Sequence, residues 1–135
     1  MIDAYHYGSD RTPDSLSGMR ILLVEDEYLV ALGVQAVLEA EGCVIVGPAP
    51  RLNRALELAA AENLDGALLD LNLAGVESVP VANALAARGV PLILLTGYGP
   101  DSLRPELRSL PQIQKPVTAT TLLNMIRRTF LPAMA

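Results

Sequence analysis

Gly66-Ala67-Leu68-Leu69-Asp70-Leu71-Asn72 is a short apolar run that stops at a carboxylate. A run of that length, with a turn signal at residues 63–65 before it, suits a strand buried on both faces. A carboxylate at the C-terminal end of such a strand stands where open α/β sheets bind their ligands. Three more runs end in the same manner. Arg20-Ile21-Leu22-Leu23-Val24 leads into Glu25-Asp26, Pro91-Leu92-Ile93-Leu94-Leu95 into Thr96, and Pro111-Gln112-Ile113-Gln114 into Lys115. Four predicted strands therefore deliver polar groups to one end of one sheet, and the remaining chain reads as their scaffold.

Working outward, strands and helices alternate from residue 20 onward. The second strand is expected at 43–47, closed by Gly47-Pro48, so that the five strands are 20–24, 43–47, 66–70, 91–95 and 112–114. Helices are expected at 27–41, stopped by Gly42, and at 51–62. A third runs from a Ser78 cap to about Arg88, with Pro80 tolerated in its first turn. In the first helix, Leu29, Leu32, Gly33, Ala36, Val37 and Ala40 are expected to face the core, and Glu27, Ala31, Gln35 and Glu39 water. Val30, Val34 and Leu38 form a second flank, for a neighbouring helix or a docked partner. Leu52, Ala55, Leu56 and Ala59 should point inward from the second helix. Thr118 can cap the last helix, whose buried face is Ala119, Leu122, Leu123, Ile126 and Phe130, and Pro132 ends it. Between them, Gly97, Gly99, Pro100, Pro105 and Pro111 crowd one connection, so 97–111 is expected to be short-helical or mobile. This alternation implies an α/β fold, a parallel sheet covered on both faces through right-handed crossovers.

Composition bounds the rest. The 135 residues are 51% hydrophobic but only 4% aromatic, without Trp, which suits one layered domain with an Ala-, Leu- and Val-rich core. A net charge of −5 argues against direct nucleic-acid contact. Cys43, the sole cysteine, excludes an intramolecular disulfide and fits a reducing compartment. Without an apolar run of membrane-spanning length or a secretory signal, the expectation is a cytoplasmic protein with no membrane insertion. Residues 1–19 are polar and aperiodic, so a mobile N-terminal tail is expected there, then one domain over 20–131 with no room for a second, and a short tail at 132–135. His6, alone and without a nearby cysteine, is a tail residue rather than a metal ligand.

The strand ends define a chemistry. Glu25, Asp26 and Asp70, packed close, would repel one another and shift each other's pKa, and a divalent oxygen-loving cation resolves that repulsion. Mg²⁺ takes few protein ligands and keeps waters, so Asp26 and Asp70 could ligate directly and Glu25 through water. Lys115 is the only lysine among ten basic residues. A compact ammonium beside carboxylates and metal suits a non-bridging phosphoryl oxygen. Thr96 offers a hydroxyl to the same group, and Gly97 leaves space beside it. The set matches phosphoryl transfer onto a carboxylate, with Asp70 as nucleophile. For Glu27, the acid-favouring N-terminus of a helix is a sufficient explanation.

The ordered set Leu23-Val24-Glu25-Asp26-Glu27, Leu68-Leu69-Asp70, Leu95-Thr96-Gly97 and Lys115-Pro116 resembles the receiver domains of two-component response regulators, over residues 20 to about 131. The resemblance implies a flavodoxin-like, doubly wound (βα)5 fold with sheet order 2-1-3-4-5. It also implies Mg²⁺ held by Asp26, Asp70 and the backbone carbonyl of Asn72, and a Lys115-Pro116 bond that is commonly cis in the family. The implied partners are a sensor histidine kinase or phosphotransfer protein and a downstream protein, with a second copy of the chain as a further candidate. Three departures stand out: Glu25 where many members have Asp, Gln112 where the family usually has an aromatic switch residue, and Thr96-Gly97-Tyr98-Gly99. The last resembles the Thr-Gly motif of the Phe-Ala-Thr-Gly-type single-domain receivers, with Leu94-Leu95 in place of Phe-Ala. That class has a reduced fourth helix, and Thr96, Gly97 and Tyr98 become the expected switch.

The expectation is thus a stand-alone phosphoacceptor that catalyses only its own phosphorylation and dephosphorylation and signals through the 96–115 surface by binding or phosphorelay. Two other readings compete. One is a degenerate receiver acting as a constitutive interaction module. The other is a Mg²⁺-dependent aspartyl phosphatase of the haloacid-dehalogenase type, against which stands Asn72 where that class wants a second Asp.

Overall fold

The computed structural model describes residues 15–97, 99 and 103–131. Its elements in chain order are β1 (Arg20–Val24), α1 (Tyr28–Ala40), β2 (Val44–Ala49), α2 (Leu52–Ala61), β3 (Gly66–Asp70), β4 (Asn72–Leu73), β5 (Val76–Glu77), α3 (Val79–Ala87), β6 (Leu92–Thr96), a 3₁₀ turn (Pro105–Leu107), β7 (Gln112–Gln114) and α4 (Ala119–Phe130). Five strands form one parallel sheet in the order β2-β1-β3-β6-β7. Counted without the small β4–β5 hairpin, this is the expected 2-1-3-4-5.

Side chains of the central strands alternate between two cores, as the two-residue period of a strand requires. Leu22, Val24, Ala67, Leu69, Leu92 and Leu94 pack with α2 and α3. Ile21, Leu23, Leu68, Ile93 and Leu95 pack with α1 and α4. Every residue of β3 and β6 is buried, which is why these strands read as continuous apolar runs. At the start of β3 the ring of Phe130 lies so close that a Cβ on Gly66 would sit 2.5 Å from it.

Several expectations are corrected. The second strand does not stop at Gly47-Pro48 but continues to Ala49 through a cis Gly47–Pro48 bond. As the sheet's edge strand, β2 tolerates a proline that has no N–H to donate. Helix α1 is rotated from the expected phase. Ala31, Val34 and Leu38 are its buried residues, whereas Leu29 is 77% and Leu32 48% exposed. Only Gln35 and Glu39 are polar between Leu29 and Ala40, so hydrophobic periodicity does not fix one phase and packing on the sheet decides it. The flank read as secondary is the core face. Ala119 of α4 is exposed, while Leu122, Ile126 and Phe130 are buried as expected.

Within residues 15–19, assigned to the tail, Leu16 and Met19 are buried at 2% exposure each while Ser17 and Gly18 are exposed, and the Gly18 amide donates to the Gly42 carbonyl at 2.8 Å. Residues 1–14, with His6, and 132–135 lie outside the described residues. Thr118 caps α4 through its side chain, which accepts from the Thr121 amide at 3.3 Å. Ser78 precedes α3, but its side chain makes no cap bond. Between Thr96 and Gln112 the described residues form one 3₁₀ turn, with Leu107 buried. No helix among the described residues is long and apolar enough to cross a membrane.

Candidate functional site

The C-terminal ends of β1, β3, β6 and β7 meet as the apolar runs require. Carboxylate oxygens of Glu25, Asp26 and Asp70 lie within 4.8 Å of one another. Into this cluster comes the Lys115 ammonium, 3.1 Å from Asp70 Oδ2, 3.0 Å from Glu25 Oε1 and 2.5 Å from Glu27 Oε1. Backbone pairing sets its register, since the Lys115 amide donates to the Thr96 carbonyl at 2.7 Å. The Lys115–Pro116 bond is cis.

Each acid is held differently. Glu25 is 2% exposed, and its Oε2 accepts the Glu27 amide at 3.0 Å. Its buried Oε1 sits at ion-pair distance from Lys115 without hydrogen-bond geometry. Burial, with a hydrogen bond and a like charge from Asp70, pushes the Glu25 carboxyl up to about 7; the Glu27 amide and Lys115 act in the opposite sense. Asp70 is also buried, and its Oδ1 accepts the Asn72 amide at 3.0 Å. Asp26 is half-buried, and its Oδ2 accepts the Ala74 amide at 2.9 Å. For Lys115, burial works against the charge, but hydrogen bonds to Glu27, Glu25 and Asp70 outweigh it and hold the ammonium pKa above its usual value.

The β4–β5 hairpin, absent from the sequence reading, shapes one wall. Its turn has Ala74 at φ 53° and Gly75 at φ 88°, and the Gly75 amide donates to Asn72 Oδ1 at 2.7 Å. Left-handed backbone is the usual geometry of a two-residue hairpin turn, and the Asn72 side chain supports it locally. Ser78 Oγ donates to the Asp70 carbonyl at 2.5 Å, tying the start of α3 to the strand end that carries the carboxylate.

These residues line an open cleft of about 960 Å³ that Asp26, Asp70, Thr96 and Lys115 share with Leu103, Arg104 and Leu107. Arg104 is ion-paired with Glu77 of the hairpin, so the two walls are joined across the cleft. Thr96 is buried at the end of β6. A Cβ on Gly97 would meet nothing within 4 Å, so the room beside Thr96 does not depend on that glycine. Tyr98 lies outside the described residues.

Five residues singled out from sequence are thus brought together: Glu25, Asp26, Asp70, Thr96 and Lys115. Sequence reasoning missed Glu27 as a partner of Lys115, Ser78 as a support for Asp70, and Arg104 with Glu77. A signal for Glu27 existed, because the chain has a single lysine and three consecutive acids at one strand end. The donor set suits a divalent cation of the Mg²⁺ class: three carboxylates converge, and one buried oxygen, Glu25 Oε1, has no hydrogen-bond partner among the described residues.

Residues 21–127 match the family model of the response regulator receiver domain. The chain is 26% identical over 123 residues to the transcriptional regulatory protein PdtaR of Mycobacterium tuberculosis, covering 88% of this chain and 60% of that protein. Among solved structures, the response regulator PhyR from Brucella abortus superposes with a TM-score of 0.76 at 26% identity, over 87% of this chain and 50% of PhyR. SdrG from Sphingomonas melonis superposes with a TM-score of 0.73 at 37% identity, over 81% of this chain and 93% of SdrG. The chain thus spans little more than half of PdtaR and half of PhyR, but most of SdrG. With the matched segment covering all of the sheet but its first residue, and every strand end of the cleft, the chain belongs to the response regulator receiver domain family.

Proposed function

We propose that this receiver domain accepts a phosphoryl group on Asp70 and signals the change through the surface at 96–115. The observation that carries the reading is the contact of the single lysine with Asp70, within a cluster of three converging carboxylates. Asp70 Oδ attacks phosphorus as the bond to the donor breaks, and the donor leaves with the electron pair. Lys115, already 3.1 Å from Asp70, neutralises a non-bridging oxygen, and the Thr96 hydroxyl donates to another. Asp26, Asp70 and the Asn72 carbonyl would hold Mg²⁺, with Glu25 acting through water; the ion would supply further neutralisation of the transferred group. The backbone amide of Asn72 donates to Asp70 Oδ1 and so restrains rotation of the carboxylate.

A phosphohistidine on a sensor kinase or phosphotransfer protein is the proposed donor, and a partner protein the reader of 96–115. Coupling runs through Thr96 and Lys115, which bound this segment at both ends and share a backbone hydrogen bond. The Asn72 side chain is engaged in the hairpin turn, which supports a phosphoacceptor over a phosphatase that needs a second acid there.

Intact mass after incubation with acetyl phosphate, with and without Mg²⁺, tests this. One metal-dependent phosphate adduct, lost in Asp70→Ala, is the expected result. No adduct from either acetyl phosphate or a phosphorylated histidine kinase would sink the reading and leave an interaction module.

A further inference from the structure

Glu27 has no part in the chemistry above, yet it makes the shortest of the contacts to Lys115, at 2.5 Å. Its place at the N-terminal cap of α1 does not account for this, because the side chain makes no cap hydrogen bond. An ammonium has three hydrogens, and here three carboxylates compete for them: Glu25, Glu27 and Asp70. Phosphorylation of Asp70 requires Lys115 to turn to a phosphoryl oxygen. The Glu25 side chain is fully buried and has no access to water, whereas that of Glu27 is 60% exposed. The contact to Glu27 is therefore the one the ammonium can release at least cost, since water can take its place.

We propose that Glu27 is a positioning residue for phosphoryl transfer, holding the Lys115 ammonium at the cleft mouth in the free protein and competing with the incoming phosphoryl group for it. This inference rests on the function proposed above. Glu27 lowers the rate through its contact, because the ammonium must leave it as the transition state forms. An Asp70 oxygen bonds phosphorus, the bridging O–P bond of acetyl phosphate breaks, and acetate departs with the electron pair.

The test uses the intact chain with Glu27→Gln and with Glu27→Asp, which keeps the charge but is one methylene shorter. Lys115 is the only lysine, so its acetylation by an amine-reactive ester can be followed by peptide mass mapping, apart from the N-terminus and from any phosphorylation. Both variants should acetylate at Lys115 about three- to tenfold faster than the parent, because the carboxylate that covers the amine at the cleft mouth no longer reaches it. Adduct formation on Asp70 from acetyl phosphate at fixed Mg²⁺ should accelerate by about three- to tenfold in Glu27→Gln, and by at least twofold in Glu27→Asp. Unchanged lysine reactivity would overturn the proposal, as would faster acetylation with unchanged phosphorylation. A Glu27→Asp variant that phosphorylates like the parent would also overturn it, by reducing Glu27 to a charge near the mouth. If the parent takes no phosphate, the proposed function fails and the positioning role with it, while lysine reactivity still reports whether the contact exists.

Discussion

Glu25 lies buried beside Asp70, and its carboxyl is pushed from about 4.5 up to about 7, first by burial and then by its hydrogen bond with Asp70. A raised carboxyl binds its proton more tightly in the folded than in the unfolded chain. Between those two values the unfolded chain releases a proton that the folded chain keeps, so stability is highest at the acidic end and falls as pH rises through about 7. Lys115 is shifted upward from its ordinary value, so it stays charged throughout and adds no slope in this window. The metal-free protein should therefore lose Tm between about pH 5 and pH 7, and Glu25→Gln should flatten that dependence in thermal unfolding followed by circular dichroism. A metal-free profile that is flat already would show that Glu25 ionises normally. Glu25, Asp26, Asp70, Thr96 and Lys115 were legible because each ends or directly follows a predicted strand. Glu27 and Ser78 were not, because a helix N-terminus offered each an adequate local explanation, and only the fold shows that their side chains turn to Lys115 and to the Asp70 carbonyl instead.

At the scale of elements, what position the site are the close contacts that bind one element to the next. Phe130 of α4 covers Gly66 at the start of β3, the strand that ends in Asp70, and a Cβ at Gly66 would lie 2.5 Å from the ring. Gly66→Ala should therefore displace α4 and cost about 1–3 kcal/mol in chemical denaturation, although alanine is otherwise the milder residue within a strand. The Arg104–Glu77 pair joins the hairpin to the segment around the 3₁₀ turn. Both side chains are more than half exposed, so Arg104→Ala should change global stability by less than about 1 kcal/mol. Hydrogen exchange at 103–110 should nonetheless quicken in that variant, because the pair restrains local opening. Unaltered exchange would mean that Leu103 and Leu107, packed on the core, hold the segment unaided. Proline and glycine content marked 97–111 as unable to form a long helix. The hairpin left no such mark, since two-residue strands carry no periodicity, and the phase of α1 was hidden by apolar residues on nearly every side.

For the molecule as a whole, the central strands were legible because burial on both faces leaves an apolar signature, whereas the order β2-β1-β3-β6-β7 was expected only from the resemblance to receiver domains. That topology carries an electrostatic consequence. It gathers Glu25, Asp26 and Asp70 at one end of the sheet with Lys115 as the sole cation of the cluster among the described residues. Three carboxylates against one ammonium leave net negative charge in a partly buried site, which a divalent cation offsets better than a monovalent one. Mg²⁺ bound only by the folded chain stabilises it by mass action, by about 2.7 kcal/mol at a concentration one hundred times the dissociation constant. Thermal unfolding in Mg²⁺ against EDTA should therefore show a raised Tm near pH 8. The rise should shrink below about pH 6, where Glu25 is protonated, and should be lost in Asp26→Asn. Sodium at matched ionic strength separates binding from screening, since screening would raise Tm alike with either salt. An equal response to both would mean that the free protein holds no specific Mg²⁺ and that Lys115 balances the cluster unaided.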